Sequence, residues 1–145
     1  MRVLIQRVSK AEVRVDGEVL GKINAGLTLL TGLTHDDDRD KVQMMAEKIV
    51  NMRLFKDNDD KMNLSLNDVT GEILVVSQFT LYGDTRKGRR PSFVHAMGPD
   101  QASPLIDWFI DCFKALGVKV ESGRFGADME VDLINDGPFT LMLEQ

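Results

Sequence analysis

The chain has 145 residues, 43% of them hydrophobic and 28% charged, and a net charge of −5. That size and balance predict one soluble globular domain over residues 1–145, with an acidic surface that repels polyanions except through local contacts. One cysteine excludes an internal disulfide, and one cysteine with two histidines makes no zinc pattern.

The opening "MRVLIQRVSKAEVRV" breaks its apolar character at Arg2, Gln6 and Arg7 too early for a signal-peptide core. No run of eighteen apolar residues follows, so a cytoplasmic protein with no membrane segment is expected. "RVLIQRV" reads as a first strand, and "AEVRVDGEVLGKI" as a hairpin on Asp16-Gly17, flanked by Val13, Val15, Val19 and Ile23. "GLTLLTGLT" predicts a buried strand. The acidic "DDDRD" then caps a helix over residues 38–52, with Val42, Met45, Ile49 and Met52 on one face.

"RLFKD" predicts a short strand, and "NDDKMNLSLNDVTG" a polar loop. "EILVVSQFTL" carries the strongest strand signal in the chain. A second helix follows Pro99-Asp100, with Leu105, Phe109, Cys112, Phe113 and Leu116 at helical spacing. Pro104 lies near enough to its start to be tolerated, and Cys112 on that stripe reads as core packing. "VKVESG" and the loop "RFGAD" lead to "VDLINDGPFTLMLEQ", two apolar runs around Gly137-Pro138 that read as a hairpin with an inconvenient proline. Strands before, between and after two helices imply an α/β fold, and the hairpins require layered, largely antiparallel or mixed sheets.

No G-x-G-x-x-G loop, P-loop or G-x-S-x-G elbow is present, so nothing points to a nucleotide cofactor. Ser77, Gln78, Phe79, Thr80 and Leu81 end the strongest strand, a usual place for functional residues. Ser77 or Thr80 could be a nucleophile if a base stood beside it, and His35 and His95 are the histidines available. The alternative is that these hydroxyls only satisfy backbone groups. Asp84 and Asp128 could act as acid or base, but their spacing singles out no carboxylate pair. The dense basic cluster "TRKGRRPSF" places Arg86, Lys87, Arg89 and Arg90 around Gly88, either as a solvated loop or as a phosphate contact.

Taken together, "SQFTL" at 77–81 and "NDGPFT" at 135–140 resemble the two signature motifs of the D-aminoacyl-tRNA deacylase family. "RVSKAEVRVDGE", "KMNLSL", "LVVSQFTLYGDTRKGRRPSF" and "GRFGADMEVDLINDGPFT" follow in the family's order, so the likeness spans essentially the whole chain. The stretch "VHAMGPDQASPLIDWFIDCF" matches less distinctively, and no role is carried onto His95 or Met97. The resemblance implies a homodimer without metal or cofactor. Its substrate is the aminoacylated 3′ end of tRNA, carrying a D-amino acid or glycine mischarged onto alanine tRNA.

Site roles follow from the same resemblance. Ser77, Gln78, Phe79 and Thr80 map to the catalytic motif, with the backbone N–H groups of Phe79 and Thr80 as an oxyanion hole and the terminal ribose 2′-hydroxyl assisting. Gly137 and Pro138 map to a cis Gly-Pro motif that reaches into the other subunit's site and rejects L-amino acids. Arg7 maps to the residue that hydrogen-bonds this motif, and Phe93 to the platform for the terminal adenine. Arg86, Lys87, Arg89 and Arg90 become candidates for the acceptor phosphates. Two alternatives stay open: an RNA-binding module without hydrolysis, and an esterase with a Ser or Thr nucleophile acting on small D-amino esters.

Overall fold

A computed structural model describes residues 1–145. The first two predicted strand segments are one: β1 (Arg2–Val15) runs for 14 residues and buries Val3, Ile5, Ala11 and Val13. Asp16 and Gly17 then take positive φ of 51° and 81°, and the predicted hairpin leads into β2 (Glu18–Ile23). β3 (Gly26–Gly32) returns antiparallel beside the first half of β1.

α1 (Arg39–Asn51) has Asp38 as its N-cap, whose carboxylate accepts the Lys41 N–H at 2.9 Å, and Met52 as its C-cap. β4 (Phe55–Lys56) pairs with β5 (Met62–Leu64), a short strand inside the stretch predicted to be loop. β6 (Glu72–Ser77) lies parallel to β3, and β7 (Val120–Ser122) lies parallel to β6 after α2 (Pro99–Ala115). Parallel neighbours need crossovers, and here the two crossovers hold α1 and α2 packed side by side. No helix is long and apolar enough to cross a membrane.

β6 is buried on both faces, which explains its unbroken apolar run. Ile73 and Val75 join the main core with α1 and α2. Leu74 and Val76 join a smaller core with Val8, Ala11, Val13 and Ile23. Each Val, Leu or Ile side chain among these contributes roughly 1.5–3 kcal/mol on burial. The sheet curls until β2 packs against β6 and β7, and Gly21 permits that approach, since a Cβ there would lie 2.8 Å from the Ser122 carbonyl oxygen. On α2 the buried stripe is Ala102, Ile106, Phe109, Cys112 and Phe113, so Ile106 enters the core while Leu116 lies at the exposed helix end. Burial pushes the Cys112 thiol pKa up, consistent with an inert packing residue.

The C-terminal segment departs from the sequence reading. β8 (Glu130–Glu144) is a single strand, and both of its halves pair antiparallel with β1 instead of with each other. Val13 faces Val131 and Val8 faces Asn135, and the ladder resumes with Gln6 opposite Thr140. Asp136, Gly137, Pro138 and Phe139 therefore stand against the single residue Arg7. A hairpin requires its two arms to pair mutually, but β1 is long enough to be one template for both. The missing N–H of Pro138 is tolerated because no ladder bond is due inside a bulge.

Candidate active site

A cavity of about 590 Å³ opens at the carboxyl ends of β3 and β6, between the first turns of α2 and the loop of residues 123–129 with the start of β8. Its walls are mostly apolar, with Leu33, Met97, Ala102, Ile106 and Phe125 among them, and Ser77, Gln78 and Phe79 form part of its rim. The predicted strand through Leu81 stops at Ser77. Gln78 turns out of the sheet (φ −147°, ψ 76°), and Phe79–Tyr82 form one 3₁₀ turn. Gly32 makes room for it, since a Cβ there would lie 2.9 Å from the Gln78 carbonyl oxygen and 3.2 Å from the Leu81 Cβ.

The turn's first backbone bond runs from Leu81 N–H to the Gln78 carbonyl at 3.2 Å, so the N–H groups of Phe79 and Thr80 donate to no protein acceptor. Two adjacent free donors at a cavity rim suit an oxygen that gains negative charge. The Gln78 side-chain amide donates to the Thr80 hydroxyl. No histidine or carboxylate hydrogen-bonds Ser77 or Thr80. The His35 Nε2 lies 2.8 Å from the Val94 carbonyl oxygen, and Thr34 donates its hydroxyl to the His95 carbonyl at 2.6 Å. These contacts tether residues 93–97 beside the cavity. Asp128 lies at the cavity edge. No group of three or more His, Cys, Asp or Glu residues is arranged to hold a metal ion.

Phe79 and Phe93 form an edge-to-face pair, 5.0 Å between centroids, with 56% and 37% of their surfaces exposed. Both line the cavity. Two large exposed aromatics at one rim are unusual for core packing and suited to a planar ligand. Beyond Phe93 the basic loop is closed by two backbone bonds between Asp84 and Ser92, at 2.7 and 2.9 Å. Arg86 is not free within it: its guanidinium grips the Asp84 carboxylate at 2.9 and 2.7 Å. This holds the Asp84 carboxyl well below the usual carboxylate range. Lys87, Arg89 and Arg90 are exposed and form no ion pair, so the cluster divides into one structural and three available cations. Tyr82, under the Arg2 guanidinium, has its pKa pushed up to about 12 by burial, and secondarily by the Asp37 carboxylate.

Arg7 is 4% exposed. Its Nε donates to the Asp136 carbonyl at 3.2 Å and to the Asp136 carboxylate at 3.0 Å, and its Nη1 donates to the Leu54 carbonyl at 2.7 Å. The contact to the motif therefore falls on Asp136, one residue before Gly137. Asn135, which motif reasoning passed over, spans the bulge: its amide donates to the Arg7 carbonyl at 2.9 Å and the Phe139 carbonyl at 3.0 Å. The Gly137-Pro138 peptide is cis, and both residues are exposed. Neither lines the chain's own cavity.

Fold and site thus define an α/β protein with a ligand cavity at parallel strand ends, edged by backbone donors, aromatics and a cationic loop. The chain matches the D-Tyr-tRNA(Tyr) deacylase family over residues 4–144. A D-aminoacyl-tRNA deacylase of Exiguobacterium sp. is 57% identical over 145 residues, covering 100% of this chain and 99% of the relative. One from Clostridium perfringens is 53% identical over 144 residues, covering 99% and 97%. A solved c-Myc DNA unwinding element binding protein has a TM-score of 0.91 at 38% identity, covering 100% of this chain and 99% of its own. A probable eukaryotic D-amino acid tRNA deacylase shares the fold, with a TM-score of 0.85 at 20% identity over 98% and 97%. The chain belongs to the D-aminoacyl-tRNA deacylase family of hydrolases.

Proposed function

We infer that this protein works in the cytoplasm as a homodimer that hydrolyses the ester joining a D-amino acid to the terminal adenosine of tRNA, and glycine mischarged onto alanine tRNA. The observation that carries this reading is the pair of unengaged N–H groups of Phe79 and Thr80 at the rim of the cavity. Water adds to the ester carbonyl carbon, and the carbonyl oxygen takes up negative charge against these donors. The bond to the ribose oxygen then breaks, with the neighbouring 2′-hydroxyl relaying the proton. Each preorganised donor of this kind contributes about 2.7–4 kcal/mol to the transition state in other hydrolases. With no base at Ser77 or Thr80, their side chains and that of Gln78 shape the turn that presents the donors.

Chirality is read by the backbone of Gly137-Pro138 from a second copy. Its carbonyls accept the substrate's α-ammonium group, so an L side chain would run into that backbone while a D side chain points outward. Glycine has no side chain to reject. In support, the bulge is exposed, lies outside its own cavity, and is tied down by Arg7 and Asn135. β8 also leaves Ile134 and Met142 exposed, opposite Lys10 and Leu4 of β1 on one face of the sheet, a surface for a second copy to cover. Phe93 stacks on the terminal adenine, and Lys87, Arg89 and Arg90 meet acceptor phosphates.

The test is one assay panel: D-, L- and glycyl-esters of the same tRNA, with wild type and Gly137→Ala. A Cβ at Gly137 would lie 2.8 Å from the Asn135 Oδ1, so the variant disturbs the bulge itself. Fast turnover of D- and glycyl-esters, slow turnover of L-esters, and loss of D-activity in Gly137→Ala without efficient L-hydrolysis are expected. Equal wild-type rates on D- and L-esters overturn the filter. A second reading, a nucleic-acid-binding module without hydrolysis, has the three free cations and the 38% identical DNA-binding relative in its favour. Binding of the charged tRNA without turnover would select it.

A further inference from the structure

We propose that a second cavity, beside the first, binds the cytosine base of the nucleotide that precedes the terminal adenosine of tRNA, with the Asp84 carboxylate and the Arg86 guanidinium reading its amine and ring-nitrogen edge. This rests on the proposed function above. The second cavity is about 480 Å³, within the range of ligand sites, and Arg2, Thr34, Tyr82, Asp84, Arg86 and His95 are among its walls. Those walls are polar where the walls of the first are mostly apolar.

A thin partition separates the two. The 3₁₀ turn gives Phe79 to the first cavity and Tyr82 to the second, and residues 93–97 give Phe93, Ala96 and Met97 to the first and His95 to the second. Gly83, a wall of the second, lies directly beneath Phe93, a wall of the first, so close that a Cβ there would stand 3.1 Å from the ring. A single strand with its terminal adenine against Phe93 therefore lays the preceding base across this partition and into the second cavity.

The charges of the second cavity favour a base over a phosphate. Arg2 donates to the Glu144 carboxylate at 2.9 Å and to the Leu81 carbonyl at 2.8 Å, and Arg86 holds Asp84, so both guanidinium charges are balanced and a phosphate would stand against the Asp84 carboxylate. The Asp84–Arg86 pair nevertheless keeps open positions. The Asp84 side chain is 24% exposed, its Oδ2 accepts one bond, from Arg86 Nη2, and Arg86 Nη1 donates to nothing in the protein. An acceptor thus stands beside a donor, both reachable from the cavity. Cytosine matches that order, its N4 amine donating to the carboxylate and its N3 accepting from the guanidinium. Uracil presents a carbonyl oxygen and an N–H in the same two places, and its carbonyl would meet the carboxylate.

The experiment measures binding of two dinucleoside monophosphates, cytidylyl-(3′→5′)-adenosine and uridylyl-(3′→5′)-adenosine, to wild type, Asp84→Asn and Lys87→Gln. The two carry the same charge, so contacts to phosphate alone give no difference between them. Wild type should bind the cytidine form about 10-fold more tightly or better, the worth of one hydrogen bond to a charged group. Asp84→Asn, whose amide both donates and accepts, should bind the two alike, and Lys87→Gln, which alters a cation outside the cavity, should keep the preference. Equal wild-type affinities, a result that needs no variant to fold, overturn the proposal. So does no wild-type binding of either dinucleotide, or an unchanged preference in Asp84→Asn. Should the wild type prefer the cytidine form yet leave D-aminoacyl-tRNA intact, the deacylation reading falls and the cytosine site stands. Should it deacylate that substrate yet bind the two dinucleotides alike, the reverse holds.

Discussion

The buried guanidinium of Arg7 holds both the carbonyl and the carboxylate of Asp136, the first residue of the four that bulge from β8 opposite it. A single residue of β1 thereby sets where the Gly137-Pro138 segment projects. Lysine would keep the charge but not the fork that reaches Asp136 and Leu54 together. Arg7→Lys is expected to remain folded and to lose roughly 10- to 100-fold in D-aminoacyl-tRNA deacylation, the scale of a small misplacement of a positioning group. Circular dichroism and single-turnover rates check the two halves of that statement.

Thr80→Ala removes a hydroxyl that accepts from Gln78 and leaves the backbone N–H in place. Deacylation should stay within about tenfold of wild type. A substrate ending in 2′-deoxyadenosine should instead lose about 100-fold or more, the contribution of a positioned proton-transfer group. Single-turnover rates compare the two directly, and a dead Thr80→Ala with a normal deoxy substrate would reverse the assignment.

Gly83 sits beneath Phe93. Its φ of −64° is open to any residue, so the constraint is space: a Cβ there would lie 3.1 Å from the Phe93 ring and 3.0 Å from the Thr80 carbonyl oxygen. Gly83→Ala should tilt the platform and raise KM for charged tRNA by about 3- to 10-fold, part of the ~1–3 kcal/mol of a stacked base. Steady-state kinetics with the intact tRNA substrate provide the measurement, with an unchanged KM as the contrary result.

Neutralising Lys87, Arg89 or Arg90 to Gln should weaken tRNA binding whatever the tRNA sequence, and should reduce the slope of log affinity against log salt by about one per residue. Arg86→Gln should have a smaller effect on that slope, because its charge is already committed to Asp84. Salt titrations of the four variants distinguish the two kinds of cation.

Asp84 gives a pH prediction with a definite sign. Its carboxyl pKa is lowered in the folded protein, chiefly by the Arg86 side chain, so the contribution of the pair is present above the ordinary carboxylate pKa of about 3.9 and is lost only as pH falls through the depressed folded value. Carboxyl NMR should show Asp84 titrating well below the ordinary carboxylate range, and Arg86→Gln should return it toward that range.

Much of this was legible in sequence because it is local. The Asp16-Gly17 turn, the Asp38 cap, the helix stripes and the apolar run of β6 each follow from residues a few positions apart, and the pairing of "SQFTL" with "NDGPFT" named the family. Local pattern could not separate a hairpin from a bulge at Gly137-Pro138, since both present apolar runs around a turn-forming insert. Only the length of β1, pairing with both halves of β8, decides between them. Nor does sequence spacing reveal that Arg86 is held by Asp84 while Lys87 is free, that Gly83 lies under Phe93, or that Thr31 ends beside Ser77. Those relationships depend on register between strands distant in the chain, which hydrophobic burial and backbone pairing select together when the tertiary structure forms.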